Sequence, residues 1–145
     1  MTIALTADHP GKAEYERLRL ALWPMPEQDN RSDIEAQLAD PAWAVFLEVD
    51  ETGSGVGFLE VRLRNYAEGA ERSPVPYVEG WYVEPEIRRR GVGRMLMFAA
   101  EEWARAQGYG ELASDTHVDN RESLNAHRRL GFEETDRIVC LLKRL

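Results

Sequence analysis

The feature that most constrains this chain is a change of period after Pro85. The segment Tyr77 to Val83 alternates and reads as a strand. Beyond Pro85, Val92, Leu96, Ala99, Trp103 and Ala106 recur at intervals of four, three, four and three. They line one face of an amphipathic helix, and Gly108 is its expected stop. Between strand and helix lies Arg88-Arg89-Arg90-Gly91-Val92-Gly93. Glycines there allow a sharp turn. The free N–H groups of the helix's first turn, at the positive end of its dipole, suit a phosphate. Taken alone, the same residues also describe a solvated basic turn.

The remaining segments fit around this unit. Met1 to Thr6 reads as a short strand, and after Pro10-Gly11 the residues Tyr15, Leu18 and Leu22 fall at helical spacing until Trp23-Pro24-Met25-Pro26 stops them. Ser32 with Glu35 forms a capping box for a second helix through Leu38. Val45 to Val49 and Gly57 to Leu63 read as strands joined by a turn-rich connection, and residues 67–76 as an exposed loop. Glu111 to Ser114 is a short strand. Asp119 with Glu122 makes another capping box, and Leu124, His127 and Leu130 share a helical face until Gly131. Ile138 to Leu142 reads as a closing strand. The order specifies an α/β (α+β) fold, a mixed central sheet with helices on its faces. It forms a single domain over residues 1–145, since one domain takes about 100–200 residues.

Composition narrows the function classes. With 43% hydrophobic and 30% charged residues the chain can bury a core. Its 26 acidic against 18 basic residues give a formal charge of −8, which argues against nucleic acid and favours a cationic partner wherever carboxylates converge. The lone Cys140 excludes an intrachain disulfide and reads as a buried small hydrophobe in the last strand. His9, His117 and His127 show no ligand spacing, so no metal site is expected. No apolar run approaches the ~20 residues of a membrane span, and the N-terminus lacks a basic-then-apolar signal segment. The expected setting is cytoplasmic, without membrane association.

Several residues carry two readings. Alternation puts Tyr77, Glu79, Trp81 and Val83 on one strand face, so the Glu79 carboxylate needs a partner there, either a ligand cation or an arginine in an ion pair. Asp115 follows a strand at its carboxyl end, the ligand side of open sheets, or else caps a loop. Trp23 and Tyr66 read as a core plug and a strand-end surface aromatic. His127, on an apolar helical face, is a satisfied core histidine as readily as a catalyst. Asn120 and Asn125 read as cap and helix-surface residues.

Arg88-x-x-Gly91-x-Gly93 after a strand, the amphipathic helix, the short strand, and Asn120…Asn125-x-His127-x-x-Leu130-Gly131-Phe132 together resemble the acetyl-CoA-binding core of the GNAT N-acetyltransferases. The resemblance implies that the loop Arg88 to Gly93 holds the CoA pyrophosphate. It also implies that the backbone of Trp81, Tyr82 and Val83 polarises the acetyl carbonyl, and that Asn120 or Asn125 contacts the cofactor. His127 stands where many members carry a tyrosine that protonates the thiolate. Ser73-Pro74-Val75, Val78-Glu79-Gly80-Trp81-Tyr82-Val83, Ala113-Ser114-Asp115 and Ala126-His127-Arg128 resemble more closely the small dimeric aminoglycoside 6′-N-acetyltransferases. That resemblance implies a homodimer. It makes Glu79 and Asp115 acids on the antibiotic's amino groups and one of them the base, Trp23 and Tyr66 the aromatic side of the cleft, and Asp136 a further acid. The alternatives are a GNAT for another amine, such as a polyamine or peptide, and a non-catalytic acyl-CoA-binding module.

Overall fold

The sheet is covered on both faces, and its strands alternate accordingly. In the computed structural model, which describes residues 1–145, strand β2 (Trp43–Val49) sends Val45, Leu47 and Val49 to one face and Phe46 to the other. Strand β3 (Gly55–Arg64) sends Phe58 to the first face and Leu59 and Val61 to the second. Tyr15 and Leu18 of α1 (Lys12–Leu22) and Ile34 of α2 (Glu27–Ala39) close the first layer. Leu96, Met97 and Ala100 of α3 (Val92–Ala106) close the second. Two apolar layers on opposite sides of one sheet fix the architecture.

Strands β1 (Thr2–Ala4), β2, β3 and β4 (Val75–Val83) run antiparallel to their neighbours, and β5 (Ala113–Ser114) pairs parallel with β4, in the order β1-β2-β3-β4-β5. Helix α4 (Arg121–Arg129) follows β5. The predicted α/β class is met. The helix of the 92–106 stripe has the predicted limits, and Gly108 follows it in the left-handed region, at φ +85°.

Five expectations are corrected. Helix α2 begins at Glu27, with extended Pro26 as its N-cap, so Ser32 lies inside it and caps nothing. The cap of α4 is Asn120, whose side chain accepts from Ser123 N–H at 3.1 Å, rather than Asp119. Strand β4 starts at Val75 and takes in Pro76, shortening the predicted loop. The expected closing strand over Ile138 to Leu142 is absent, because no neighbouring strand supplies its hydrogen bonds; residues 132–145 have no regular structure. Cys140, expected to be buried there, is exposed.

Candidate active site

The loop before α3 has two left-handed residues, Arg89 (φ +65°) and Gly91 (φ +89°). Met95 N–H donates to Gly91 O at 3.0 Å and begins the helical ladder, so the N–H groups of Val92, Gly93 and Arg94 point out of the helix end. A Cβ on Gly91 would meet nothing within 4 Å; one on Gly93 would come 3.0 Å from the Trp81 ring. Gly91 therefore leaves open space before the helix dipole, while Gly93 lets α3 settle on Trp81. An anionic diphosphate fits that cradle. Arg88 is held at the surface: its Nε donates to Val83 O at 3.0 Å and its Nη1 lies 3.5 Å from Glu122, tying the loop to β4 and α4. Arg89 and Arg90 remain exposed beside the cradle.

The cradle opens onto the end of β4. That strand pairs with β3 from Val75 to Val83 but with β5 only at Tyr77–Ala113 and Val78–Ser114. Beyond Val78 its far edge has no strand beside it; Glu84 N–H donates to Val56 O on the β3 side, so by alternation the N–H groups of Trp81 and Val83 face the free edge and are available to a ligand carbonyl, while Tyr82 faces β3.

A bulge decides where Glu79 points. Glu60 pairs with Gly80 and Val61 with Val78, which leaves Glu79 as the extra residue of β4. The predicted single face of residues 77, 79, 81 and 83 is thereby broken: Val78, Trp81 and Val83 pack on the α3 side, and Tyr82 on the α1 side. Glu79 turns to two arginines of β3. Its Oε1 accepts from Arg62 Nε at 2.6 Å and from Arg64 Nε at 2.5 Å, and its Oε2 from Arg64 Nη2 at 2.6 Å. Burial raises the carboxyl's pKa, but these hydrogen bonds and charges outweigh it and hold it below the usual carboxylate range. The Arg64 guanidinium also lies 3.6 Å over the Tyr77 ring, and the Tyr77 hydroxyl donates to Asp115 Oδ2 at 2.7 Å. Burial and the Asp115 bond push that phenol up. Glu79 and Asp115 are thus brought into one polar chain through Arg64 and Tyr77.

Trp23 packs against the other side of the bulge, where a Cβ on Gly80 would run into its indole. Arg19 stacks on it at 5.2 Å and is itself held by buried Glu60 at 2.8 Å. Tyr66, just past β3, is exposed, as expected of a strand-end aromatic. His127 is wedged edge-on between Trp81 and Phe132, each ring 5.1 Å away. Its Nδ1 lies 2.8 Å from Ser123 O, which can only accept, so Nδ1 carries a proton, and Nε2 shares a hydrogen bond with Ser114 Oγ at 2.8 Å. Both ring nitrogens are hydrogen-bonded within the protein.

The sequence profile of the acetyltransferase (GNAT) family matches residues 12–132. The chain belongs to the GNAT acetyltransferase family. It is 48% identical over 128 residues, 88% of this chain and 83% of the relative, to an aminoglycoside N(6′)-acetyltransferase type 1 of Stenotrophomonas maltophilia. It is 41% identical over 140 residues, 95% of this chain and 96% of the relative, to the Serratia marcescens protein of that name. The structure of AAC(6')-Iy in complex with the bisubstrate analogue CoA-S-monomethyl-acetylneamine superposes with a TM-score of 0.92 at 33% identity, covering 100% of this chain and 99% of the other.

Within this GNAT domain the anticipated residues fall into two groups. Gly91, Val92, Gly93, Trp81, Tyr82, Val83, Glu79, Asp115 and Trp23 gather around β4 and its flanking loops. Asn120 is occupied as a helix cap, and Asn125 lies on an open face of α4 with Arg121, Arg128 and Arg137. Asp136 is exposed and accepts from Arg137 N–H at 2.7 Å; neighbouring Thr135 donates to Glu68 O at 3.0 Å, which sets Asp136 beside the β3–β4 loop. Arg62, Arg64 and Tyr77 were not anticipated as site residues. The signal was present in the alternate arginines of Val61-Arg62-Leu63-Arg64, which supply the partner that Glu79 required.

Proposed function

We propose that this GNAT enzyme transfers the acetyl group of acetyl-CoA to the 6′-amino group of aminoglycosides. We assign it a single domain over residues 1–145, acting in the cytoplasm as a homodimer. The observation that carries the reading is the convergence on β4: a helix-end cradle for a diphosphate opens onto a free strand edge flanked by Glu79 and Asp115. Relatives that bear the name aminoglycoside 6′-N-acetyltransferase, and the neighbour bound to a CoA–neamine analogue, support it. No helix is long and apolar enough to cross a membrane.

Bound acetyl-CoA supplies an activated acetyl thioester. The Gly91–Gly93 turn holds its diphosphate, and Arg89 and Arg90 add charge. The free edge of β4 at Trp81 to Val83 donates to the acetyl oxygen, where negative charge grows in the transition state. An ammonium cannot attack, so the acceptor must lose a proton first. Asp115, exposed and sharing only one of its oxygens with Tyr77, is the better placed acceptor of that proton, directly or through water. Glu79 and Asp136 add negative charge around the remaining amines, with Trp23 and Tyr66 as the aromatic wall. Water returns a proton to the departing thiolate, because both ring nitrogens of His127 are already engaged by Ser114 and Ser123.

Glu79→Gln and Asp115→Asn keep shape and remove charge. Each should lower kcat/KM for the aminoglycoside by about 2–4 kcal/mol, the scale of a charged contact that the bound acceptor covers from water. The exposed Glu51→Gln in the β2–β3 turn should lose well under about 1 kcal/mol. Steady-state kinetics with the three variants tests the acidic pocket, and equal values across them would remove it.

A further inference from the structure

Glu79 is over-neutralised. It accepts three hydrogen bonds from two guanidinium groups at 2.5–2.6 Å, so Arg62, Arg64 and Glu79 together carry a single positive charge. Its side chain is 15% exposed, against 41% for Arg62 and 31% for Arg64. Orienting one carboxylate needs one guanidinium, and Arg64 already grips both oxygens. A second arginine adds little orientation and reverses the local charge, in a chain whose net charge is −8. Neither arginine is buried deeply enough to be fixed. Arg64 lies over the Tyr77 ring at 3.6 Å and Arg62 over the Trp43 ring at 5.3 Å, so each has an aromatic face on which to rest when its carboxylate bond is broken.

We propose that Arg62 and Arg64 are specificity-determining residues that occupy Glu79 in place of the acceptor's ammonium group and compete with it for that carboxylate. A single amine cannot replace a bidentate guanidinium without losing hydrogen bonds. A polycation that reaches Asp115 with one ammonium group and Glu79 with another gains enough to do so. The arginines thus raise the threshold for simple amines more than for aminoglycosides. Both act through Glu79 and touch no reacting atom. The proposal rests on the reading of Glu79 as an acceptor-facing carboxylate.

The test is steady-state kinetics at saturating acetyl-CoA for Arg64→Gln, Arg62→Gln and Glu79→Gln, with melting temperatures to establish folding. Arg64→Gln leaves Glu79 paired with Arg62, and Arg62→Gln leaves the bidentate pair, so neither strands a charge. Competition predicts that each arginine variant lowers KM for the aminoglycoside by about fivefold, the scale of one partly exposed ion pair, and lowers KM for a simple diamine further. KM for acetyl-CoA should not move. An aminoglycoside KM that is unchanged or raised in both arginine variants, beside a raised one in Glu79→Gln, overturns the competition. An unchanged KM in Glu79→Gln removes the reading on which it rests.

Discussion

At the scale of single residues, the hydrogen bonds and ring contacts of His127 favour packing over catalysis. The histidine stands on one face with Leu124 and Leu130, and its ring donates to Ser123 O, shares a hydrogen bond with Ser114 and contacts Trp81 and Phe132 edge-on. Replacing it leaves Ser114 without its hydrogen-bond partner and opens a gap beside Trp81. His127→Ala should therefore destabilise the fold by about 1–3 kcal/mol, the usual range for a lost buried polar contact. It should change kcat by no more than about threefold, where removal of a general acid would cost about 100-fold or more. Thermal melts and turnover of the surviving folded enzyme separate the two. The sequence had left both roles open because helical spacing gives the face but not the partners of the ring nitrogens. For Glu79 the need of a buried carboxylate for a counter-charge was legible, while the identity of its arginines depended on the bulge.

Among the elements, α3 was the most legible and α2 the least, for one physical reason. The buried positions of α3 are the apolar Leu96, Met97, Ala100 and Ala104, beside the partly buried Val92, Ala99 and Trp103 of the predicted stripe, whereas the buried positions of α2 are Asn30, Ile34 and Gln37. Two of those three are polar and satisfied internally, Asn30 by Arg19 and Gln37 by Tyr15, so no apolar period marks the helix. Its start is set by extended Pro26 with Glu27 and Asp29 in the first turn, which the Ser32–Glu35 match concealed. The bulge in β4 was equally hidden, since it is a property of the pairing with β3 and leaves no mark in one strand's own pattern. The turn into α3 offers the sharpest test at this scale. Gly91→Ala adds one methyl group into open space at φ +89°, which should cost about 1 kcal/mol of stability. It should weaken acetyl-CoA binding by about tenfold or more, because the methyl group intrudes on backbone N–H groups that serve a charged ligand. Calorimetry that finds unchanged affinity would count against the cradle. Gly93 is the poorer probe, as its variant would first displace Trp81.

The whole molecule has one surface that a single copy leaves unsatisfied. Residues 132–145 carry no regular structure, and Val139, Leu141 and Leu142 are 83%, 90% and 85% exposed. The run Ile138 to Leu142, apolar on both faces and read as a closing strand, has no partner strand within one copy, and the proposed homodimer supplies a second copy to cover it. Light scattering should give a dimer at micromolar concentration, and Leu141→Asp should shift it toward monomer; a monomeric wild-type chain would contradict this. The central claim concerns the 6′-amine, and it is tested most directly by release of free CoA thiol from acetyl-CoA with matched aminoglycosides that differ only at the 6′ position. The account predicts acceptor-dependent thiol release with the 6′-amino compound, a product heavier by one acetyl group on that nitrogen, and no release above background with the 6′-hydroxyl compound. Equal release with both compounds, or acetylation at another amine, would contradict it.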